Sequence, residues 1–584
     1  MDHPPAGRAG LRNGRPRLGE VRGSRSRLLP SRRSPRPAWR PEQSSRQAWL
    51  AAEDHLRADD PRNAGIGPGC ARPATGRRSA RPVGESQLSP DPSAADPATI
   101  GKTVANVEIT FGTDGWRGII ADDFTYESVR IATQGIAQYL TSRPNPSAIV
   151  GYDTRFASDL FAREVAQVLA ANGVKVFIVN APAPTQVATY AILDKKASGG
   201  LVITASHNPY YFSGLKYKPE YAGSASPEVT TRLEQEIQRV QRGGRVMQVR
   251  FDDAQREGKI EVFDPQPAYA AQINRLVDLG AIKAAGLKIL HEPMYGASQG
   301  YVRALLAGGR TTVEEIHGER NPGFGGMHPE PIAQWMPEAM ERMRKGGFDL
   351  CIANDGDADR VGIIDERGTF INQLQVMALL MMYLVEKRGQ KGDVVRSLTS
   401  TSMVDKLGER FGVTVHELKV GFKYIGPKMA ETNAILGGEE SGGFAFRGHI
   451  PERDGILSGI TFADMIVKYG KPLSKIMEHL TELVGPHFYA RHDLHLDRQE
   501  YATRRVELYG RLEKEPPTEI AGSRVVRSRT DDGFKYYLED GSWVLVRFSG
   551  TEPLIRVYSE AGSKERVDQL LAALEERLGV RQLV

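Results

Sequence analysis

Residues 204–209 (TASHNP) place a serine directly after an apolar, strand-like run, residues 200–204. A serine at the carboxyl end of a strand is exposed, so Ser206 could act as a nucleophile or carry a phosphoryl group. Covalent transfer of this kind divides one hard step into two easier ones. His207 beside it could donate a hydrogen bond or move a proton. Because Ser, Asn and Pro are common turn residues, a plain turn is the alternative.

Three aspartates, Asp355, Asp357 and Asp359, follow another strand-like run, residues 349–353. Side chains at alternate positions of an extended chain project to one side, so we expect these carboxylates to converge. At about 4 Å and an effective dielectric near 20, each pair would repel by about 4 kcal/mol, and the three pairs by roughly 12 kcal/mol. A hard cation is expected to hold them together, and Mg²⁺ suits a site that also binds phosphate.

A calcium-binding EF-hand loop is the competing metal site. Its twelfth position, counted from Asp355, is Glu366, as that loop requires. Its sixth position is Arg360, where the loop needs glycine, and a strand-like run precedes the motif where a helix is required. We therefore favour Mg²⁺.

Two further motifs suggest ligand binding. In residues 437–443 (GGEESGG), Glu439 and Ser441 could bind sugar hydroxyls while the glycines let the backbone approach; an acidic surface turn is the alternative. Residues 547–553 (RFSGTEP) and the arginine at 556 combine hydroxyl, guanidinium and backbone N–H groups, as in an anion-binding cradle; a strand ending in a turn is the alternative. The residues of this cradle are Arg547, Ser549, Gly550, Thr551 and Arg556.

The elements that must position these motifs alternate between strand-like and helical patterns. The predicted strands cover 148–152, 175–179, 200–204, 287–290, 349–353 and 393–395, and a helix is predicted over 160–169. Such alternation is typical of α/β units with parallel sheets, here about three units, each of about 100–120 residues. After His487 the pattern shifts to short strands such as 543–548 and a helix over 564–578, which indicates an α+β domain.

The composition is that of a soluble globular protein, with 40% hydrophobic and 26% charged residues. Two cysteines are too few for a disulfide framework, and no apolar stretch is long enough to span a membrane. A reducing, cytoplasmic setting is therefore expected. Residues 1–100 hold 18 arginines, no lysine and 10 acidic residues, a charge of +8, which leaves −3 on the rest of the chain. A slightly acidic body argues against a nucleic-acid-binding enzyme.

Residues 1–104 form an Arg- and Pro-rich extension with few apolar residues, and we expect this segment to be disordered. Its arginines would suit a nucleic-acid-binding arm. A non-functional extension is the favoured interpretation.

With its four motifs in order, the sequence resembles the α-D-phosphohexomutase superfamily, which includes phosphoglucomutases, phosphomannomutases and phosphoglucosamine mutases. The resemblance covers residues 107–584 and begins with residues 111–118 (FGTDGWRG). It implies three similar mixed α/β domains plus a C-terminal α+β domain around a central cleft. The predicted boundaries are 105–260 for the phosphoserine domain, 261–366 for the metal-binding domain, 367–485 for the sugar-binding domain and 486–584 for the phosphate-binding domain.

The resemblance also assigns roles. Ser206 would be the phosphoserine and would hold Mg²⁺ together with Asp355, Asp357 and Asp359. Glu439 and Ser441 would bind the sugar, and the cradle residues would grip the non-reacting phosphate. The residues expected to line the reacting phosphoryl group are Arg117, His207, Lys216 and Arg360. Lys423, in a segment (421–426, GFKYIG) similar to one in phosphoglucomutases, is the candidate general acid/base, with His207 and Lys216 in reserve; a solvated surface lysine is the alternative.

The implied reaction interconverts glucose 1-phosphate and glucose 6-phosphate through a phosphoserine enzyme and a sugar 1,6-bisphosphate, which is both intermediate and activator. Gly443, where many phosphomannomutases have histidine, favours phosphoglucomutase. The alternative is a phosphomannomutase, or an enzyme with both phosphomannomutase and phosphoglucomutase activity; a phosphoglucosamine mutase is a weaker alternative. An alternative from a different enzyme class is a serine-dependent sugar phosphatase. The expected partner is a hexose phosphate, with no nucleic acid and no membrane, and the protein is expected to be a monomer or homodimer.

Overall fold

A computed structural model describes residues 107–112, 114–549 and 553–580. The Arg-rich extension, and with it the expected disorder, lies outside the described residues. Within them the strands form four sheets that follow one another along the chain. No helix of this described part is both long enough and apolar enough to cross a membrane.

The first sheet has the order β1-β5-β4-β2-β3-β6, with β4, β2, β3 and β6 parallel and β5 and β1 antiparallel at one edge. Its strands are β1 (Trp116–Ile119), β2 (Ser147–Tyr152), β3 (Lys175–Val179), β4 (Gly199–Ile203), β5 (Phe212–Pro219) and β6 (Ile260–Phe263). The helices of this part of the chain are α1 (Tyr126–Thr141), α2 (Ser158–Ala171), α3 (Thr185–Lys195), α4 (Pro227–Gln241) and α5 (Phe251–Arg256).

The second sheet has the order β11-β10-β9-β7-β8, parallel across β9, β7 and β8 and antiparallel at β10 and β11. Its strands are β7 (Lys288–Glu292), β8 (Thr312–Glu315), β9 (Leu350–Asn354), β10 (Val361–Asp365) and β11 (Phe370–Ile371). The helices here are α6 (Gln266–Leu276), α7 (Leu279–Ala285), α8 (Tyr301–Leu306) and α9 (Pro337–Arg344), and short 3₁₀ turns cover Phe324–Gly326 and Ala333–Trp335.

The third sheet is smaller, with the order β13-β12-β14-β15, of which only β15 is antiparallel. Its strands are β12 (Val394–Ser397), β13 (Val415–Leu418), β14 (Leu436–Gly438) and β15 (Phe444–Phe446). The helices are α10 (Gln373–Glu386), α11 (Met403–Phe411), α12 (Phe422–Thr432), α13 (Gly455–Tyr469) and α14 (Leu473–Val484). Helix α10 is apolar nearly all round and accordingly buried, and it begins at a capping box formed by Asn372 and Gln375.

The fourth sheet is antiparallel throughout, in the order β16-β21-β20-β19-β18-β17. Its strands are β16 (Phe488–His495), β17 (Glu519–Ile520), β18 (Ser523–Arg529), β19 (Phe534–Leu538), β20 (Trp543–Phe548) and β21 (Leu554–Ala561). Two helices, α15 (Arg498–Lys514) and α16 (Lys564–Leu578), belong to this part of the chain. Helix α16 begins at the cap Ser563 and ends at Gly579, whose positive φ suits glycine.

The fold class is therefore the predicted one, three mixed α/β sheets followed by an α+β unit. The predicted domain boundaries stay predictions. Strand β6 spans the boundary predicted after residue 260 and pairs in the first sheet, and β11 lies beyond the boundary predicted after residue 366 and pairs in the second sheet.

Each of the first three sheets contains the same local arrangement, in which a buried parallel strand leads into an antiparallel neighbour. These pairs are β4–β5, β9–β10 and β14–β15, and each connection holds one sequence motif. The fourth motif lies between β20 and β21, which are antiparallel as well. The alternation of strands and helices predicted the parallel strands but did not reveal these antiparallel connections.

Candidate active site

The loop after β4 meets the loop after β9. Ser206 is almost completely buried, so the expectation that it is exposed was wrong: the loop after β9 packs against it. Its Oγ donates a hydrogen bond to Asp355 Oδ2 at 2.7 Å. A Cβ atom at Gly356 would lie only 2.5 Å from the carbonyl oxygen of Ser206, so only glycine allows this approach. Ser206 and Asp355, 149 positions apart in sequence, therefore share one site.

Asp355, Asp357 and Asp359 are fully buried, and carboxylate oxygens of all three lie within 4.8 Å of one another. Their convergence confirms the expectation, but the reason given for it was wrong. Residues 355–360 form a tight turn with Ala358 at φ +64°, so the carboxylates meet because the chain folds back and not because an extended chain presents alternate side chains on one side.

The aspartate group fits a hard cation. Within the described residues, Oδ1 of Asp357 and Oδ1 of Asp359 are buried and have no hydrogen-bond partner. Burial, and then the two neighbouring carboxylates, raise the pKa of Asp355 well above its usual value. Oxygen donors of this kind, close together and unsatisfied, are the ligands that Mg²⁺ takes. Glu366 instead accepts hydrogen bonds from Ser474, so it is not the twelfth ligand of an EF-hand loop.

Lys216 of β5 contributes a positive charge to the aspartate group. Its Nζ lies 2.8 Å from Asp357 Oδ2 and 3.1 Å from Asp359 Oδ2, and also 2.8 Å from Asp114 Oδ2. Burial by itself would lower the pKa of Lys216, but the three carboxylates outweigh burial and raise it. An ammonium group held in this way keeps its proton, so the geometry favours charge balance over proton transfer.

Arg453, which the sequence analysis missed, joins the motifs of three sheets. Its guanidinium lies 2.5 Å from Asp114, 3.0 Å from Asp359 and 3.8 Å from Glu439. Its Nε also donates to Glu452, its neighbour in sequence. No local pattern singles out this arginine, because its partners lie up to 339 positions away along the chain.

Lys218 and Glu452 extend this buried charge network. Lys218 Nζ donates to Asp114 Oδ1 at 2.7 Å and to Glu452 Oε2 at 2.6 Å, and Ser224 donates to the same Glu452 oxygen. One member of the network, Asp114, lies in the 111–118 run that carries the resemblance, but the run by itself does not indicate the partners of this aspartate. Because buried charges must be paired, the network holds the three sheets in one arrangement around the site.

The other residues predicted to line the reacting group lie beside the serine loop. Arg117 donates to Asn208 Oδ1 at 2.5 Å, and Arg360 donates its backbone N–H to Asp355 and its Nη1 to Glu330. His207 Nδ1 lies 3.5 Å from Ser206 Oγ. Burial, followed by the positive charges of Arg360 and Arg117, lowers the pKa of His207 well below its usual value, so this imidazole is neutral.

Lys423 lies in the first turn of α12 and is half-buried. Its Nζ lies 5.5 Å from the ring of Tyr424, and within the described residues it forms no ion pair. The segment nevertheless borders the site, because the backbone N–H of Gly421 donates to Glu439 Oε1 at 2.8 Å. The role of Lys423 stays a prediction.

The connection between β14 and β15 brings Glu439 to the site and leaves Ser441 half-buried in the turn. Burial raises the pKa of Glu439 although Arg453 opposes the shift. A Cβ atom at Gly443 would lie 2.2 Å from Arg453 Cδ, so the space above this glycine is filled by the arginine side chain. Glu440 points elsewhere and accepts hydrogen bonds from Tyr489 OH and the Arg491 guanidinium on β16.

The predicted phosphate cradle is described in part. Arg547 donates to Asp532, and the carbonyl oxygen of Ser549 accepts from Tyr501 OH at 2.6 Å. Arg556 Nε lies 3.8 Å from Asp493. The predictions for Gly550 and Thr551 lie outside the described residues.

Four domains described as phosphoglucomutase/phosphomannomutase match the chain in order: α/β/α domain I over 108–243, α/β/α domain II over 267–368, α/β/α domain III over 372–484 and the C-terminal domain over 507–577. The chain belongs to the α-D-phosphohexomutase superfamily. It is an intramolecular phosphotransferase of the phosphoglucomutase type, as the resemblance predicted. The buried aspartates of this chain offer ligands for a hard divalent cation.

The relatives of this phosphohexomutase differ in substrate. A phosphoglucomutase/phosphomannomutase of Thermococcus kodakarensis is 30% identical over 81% of this chain and 98% of the relative. A phosphoglucosamine mutase of Carboxydothermus hydrogenoformans is 31% identical over 80% of this chain and 99% of the relative. Among solved structures, a Thermus thermophilus protein described as a phosphomannomutase is 32% identical with a TM-score of 0.71, and the match covers 81% of this chain and 99% of that one. The comparisons thus establish the superfamily. The names of the relatives refer to glucose, mannose and glucosamine phosphates, so they do not establish which sugar this chain takes.

Proposed function

We propose that this phosphohexomutase interconverts glucose 1-phosphate and glucose 6-phosphate, with Ser206 as the phosphoryl carrier. The observation that carries the proposal is the 2.7 Å contact between Ser206 Oγ and Asp355 Oδ2, which puts the hydroxyl against the carboxylate group suited to Mg²⁺. Bound there by Ser206 and the three aspartates, Mg²⁺ would neutralise charge on the phosphoryl oxygens.

In the first half-reaction the phosphoserine gives its phosphoryl group to the free hydroxyl of the sugar monophosphate. The bond from phosphorus to Ser206 Oγ breaks, a bond to the sugar oxygen forms, and the hydroxyl proton of the sugar passes to a base. The released Ser206 oxygen takes up one proton to become a hydroxyl, and it gives that proton up when the second half-reaction phosphorylates it again. Lys423 is our candidate base, since its segment contacts Glu439 through Gly421. Arg117 contacts the serine loop through Asn208, and Arg360 contacts Asp355 through its backbone N–H; both guanidinium groups would stabilise charge on the transferring group.

In the second half-reaction the sugar 1,6-bisphosphate turns over within the site and its other phosphoryl group returns to Ser206. The sugar therefore has to bind in two orientations that present different phosphates to one clamp. Several donors from Arg547, Ser549, Gly550, Thr551 and Arg556 would suit that purpose better than one donor, because they can accept either orientation. Glu439 and Ser441 would hold the sugar hydroxyls in both orientations.

Glucose is the proposed sugar because of Gly443. The glycine is phosphoglucomutase-like, and Arg453 fills the space above it, so a histidine at this position would have to displace the guanidinium. Mannose 1-phosphate as a second substrate is favoured by the phosphoglucomutase/phosphomannomutase relative. Glucosamine 1-phosphate is the remaining alternative.

Steady-state rates on the three sugar 1-phosphates test the proposal, with Mg²⁺ and a trace of the matching bisphosphate present. We expect the highest kcat/KM for glucose 1-phosphate; a higher value for glucosamine 1-phosphate would contradict the choice of sugar. Ser206→Ala is expected to take up no labelled phosphate from glucose 1,6-bisphosphate and to be inactive. Inorganic phosphate as the main product of the wild-type protein would indicate the phosphatase reaction instead.

A further inference from the structure

The serine loop adopts a backbone conformation that its own residues do not favour. Ser206 has φ +52°, in the left-handed region, where a side chain with a Cβ atom is disfavoured. Such conformations persist only where the surroundings hold them, and they often occur at functional sites. One side chain, Arg155, donates four hydrogen bonds to backbone carbonyl groups of residues 206–212.

Arg155 is fully buried and lies behind the serine loop. Its Nη2 donates to the carbonyl oxygens of Ser206 at 2.6 Å and Asn208 at 2.7 Å. Its Nη1 donates to the carbonyl oxygens of Pro209 at 2.8 Å and Phe212 at 3.0 Å. Three carbonyl groups of the loop and that of Phe212, the first residue of β5, therefore converge on one planar guanidinium group.

Arg155 is itself held in place. Its Nε donates to Asp153 Oδ2 at 3.1 Å, so all five N–H groups of the guanidinium have acceptors. Its guanidinium carbon also lies 4.9 Å from the ring centre of Phe324, near the second sheet. The adjacent Thr154 donates to the carbonyl oxygen of Tyr295 in that same region. Arg155 and its neighbour Thr154, which lie behind the serine loop, therefore contact the second part of the chain, the part that also contains the three aspartates.

We propose that Arg155 is a positioning residue for phosphoryl transfer, because its four bonds to carbonyl groups hold Ser206 in the conformation that aims Oγ at Asp355. The inference rests on the proposed role of Ser206 as phosphoryl carrier. Arg155 contacts backbone carbonyl groups and Asp153 and not Ser206 Oγ, so its proposed role is to position the serine and not to bind the transferring group. Lysine cannot replace it, since an ammonium has three donors and no planar fork.

Arg155→Lys tests this proposal, with Arg250→Lys, at an exposed arginine of the same part of the chain, as the matched control. The measured quantities are KM, kcat and the single-turnover rate at which phosphorylated enzyme transfers its label to glucose 1-phosphate. We expect a KM within about threefold of wild type and a kcat and single-turnover rate about 100-fold lower, because a displacement near 1 Å is enough for such a loss. Single-turnover rates equal in Arg155→Lys and the control would overturn the proposal.

If Arg155→Lys does not fold, the same comparison is made with Asp153→Asn, which keeps the arginine but removes the carboxylate that orients Nε. We expect kcat to fall about tenfold at unchanged KM, and an unchanged kcat would again overturn the proposal. A wild-type protein that takes no label on Ser206 would instead refute the proposed function. The two failures are therefore distinguishable.

Discussion

Replacement of Arg453 by methionine is expected to destabilise the protein and, at the same time, to strengthen Mg²⁺ binding. The guanidinium is buried between Asp114, Asp359, Glu439 and Glu452, so the substitution leaves carboxylates without their positive partner. Methionine retains an apolar stem as far as the position of Nε and carries no charge. The two effects have opposite signs and come from the same electrostatic cause.

The magnitude follows from the distances. At 3.0 Å and an effective dielectric near 20, the attraction between Arg453 and Asp359 is about 5.5 kcal/mol, and at 3.8 Å the attraction between Arg453 and Glu439 is about 4.4 kcal/mol. Desolvation of the guanidinium offsets part of this attraction, and the removal of one partner from a buried pair typically costs about 3–5 kcal/mol. We expect the free energy of unfolding of metal-free Arg453→Met to fall by about that amount.

Arg453 competes with a bound cation for Asp359, which is the reason for tighter metal binding in the variant. If a quarter of the lost attraction between Arg453 and Asp359, about 1.4 kcal/mol, is transferred to Mg²⁺, the dissociation constant of Mg²⁺ falls about tenfold. Urea unfolding in EDTA and calorimetric titration with Mg²⁺ measure the two effects. Arg453→Lys, which keeps the charge, is the control and should bind Mg²⁺ as the wild type does. Equal Mg²⁺ affinity in all three proteins would refute the electrostatic argument.

Three further results are expected. Lys423→Met should still take up label from the bisphosphate but lower kcat about 100-fold, and undiminished turnover would place the base elsewhere. Gly443→Ala should displace the Arg453 side chain, because the new Cβ atom would overlap Arg453 Cδ. We expect a higher KM for the sugar phosphate and a free energy of unfolding lower by about 1–3 kcal/mol in urea titrations. Unchanged KM and unchanged stability would contradict this packing. The hydrogen bond to Glu292 raises the pKa of His317. This pair therefore stabilises the fold fully below the unfolded pKa of about 6.5, and the stabilisation is lost as the pH rises through the folded pKa. The stability gap between wild type and His317→Gln should therefore shrink as the pH rises, and a gap independent of pH would contradict the reasoning.

Much of the secondary structure could be predicted because it depends on local patterns. The predicted strands over 175–179 and 543–548 and the helix over 564–578 have the same bounds in the structure. Apolar runs of five or six residues predict buried strands, and a spacing of three and four predicts a helix face, without knowledge of the rest of the chain. The antiparallel strand β5 was not predicted, because the alternation of strands and helices is read as a parallel sheet.

The sequence by itself determined the superfamily, the serine after β4 and the three aspartates after β9. Each of these conclusions depends on short runs of residues that can be recognised without knowing which distant residues they contact. Only the tertiary structure decided that the aspartates converge through a tight turn, that Arg453 pairs with carboxylates from three parts of the chain, and that Arg155 holds the serine loop through its carbonyl groups. Buried charges and backbone carbonyl groups are satisfied by whatever partner the fold brings within 3 Å, at any separation along the chain. Local patterns carry no information about such partners, so the residues that support the site became visible only when the sheets were assembled.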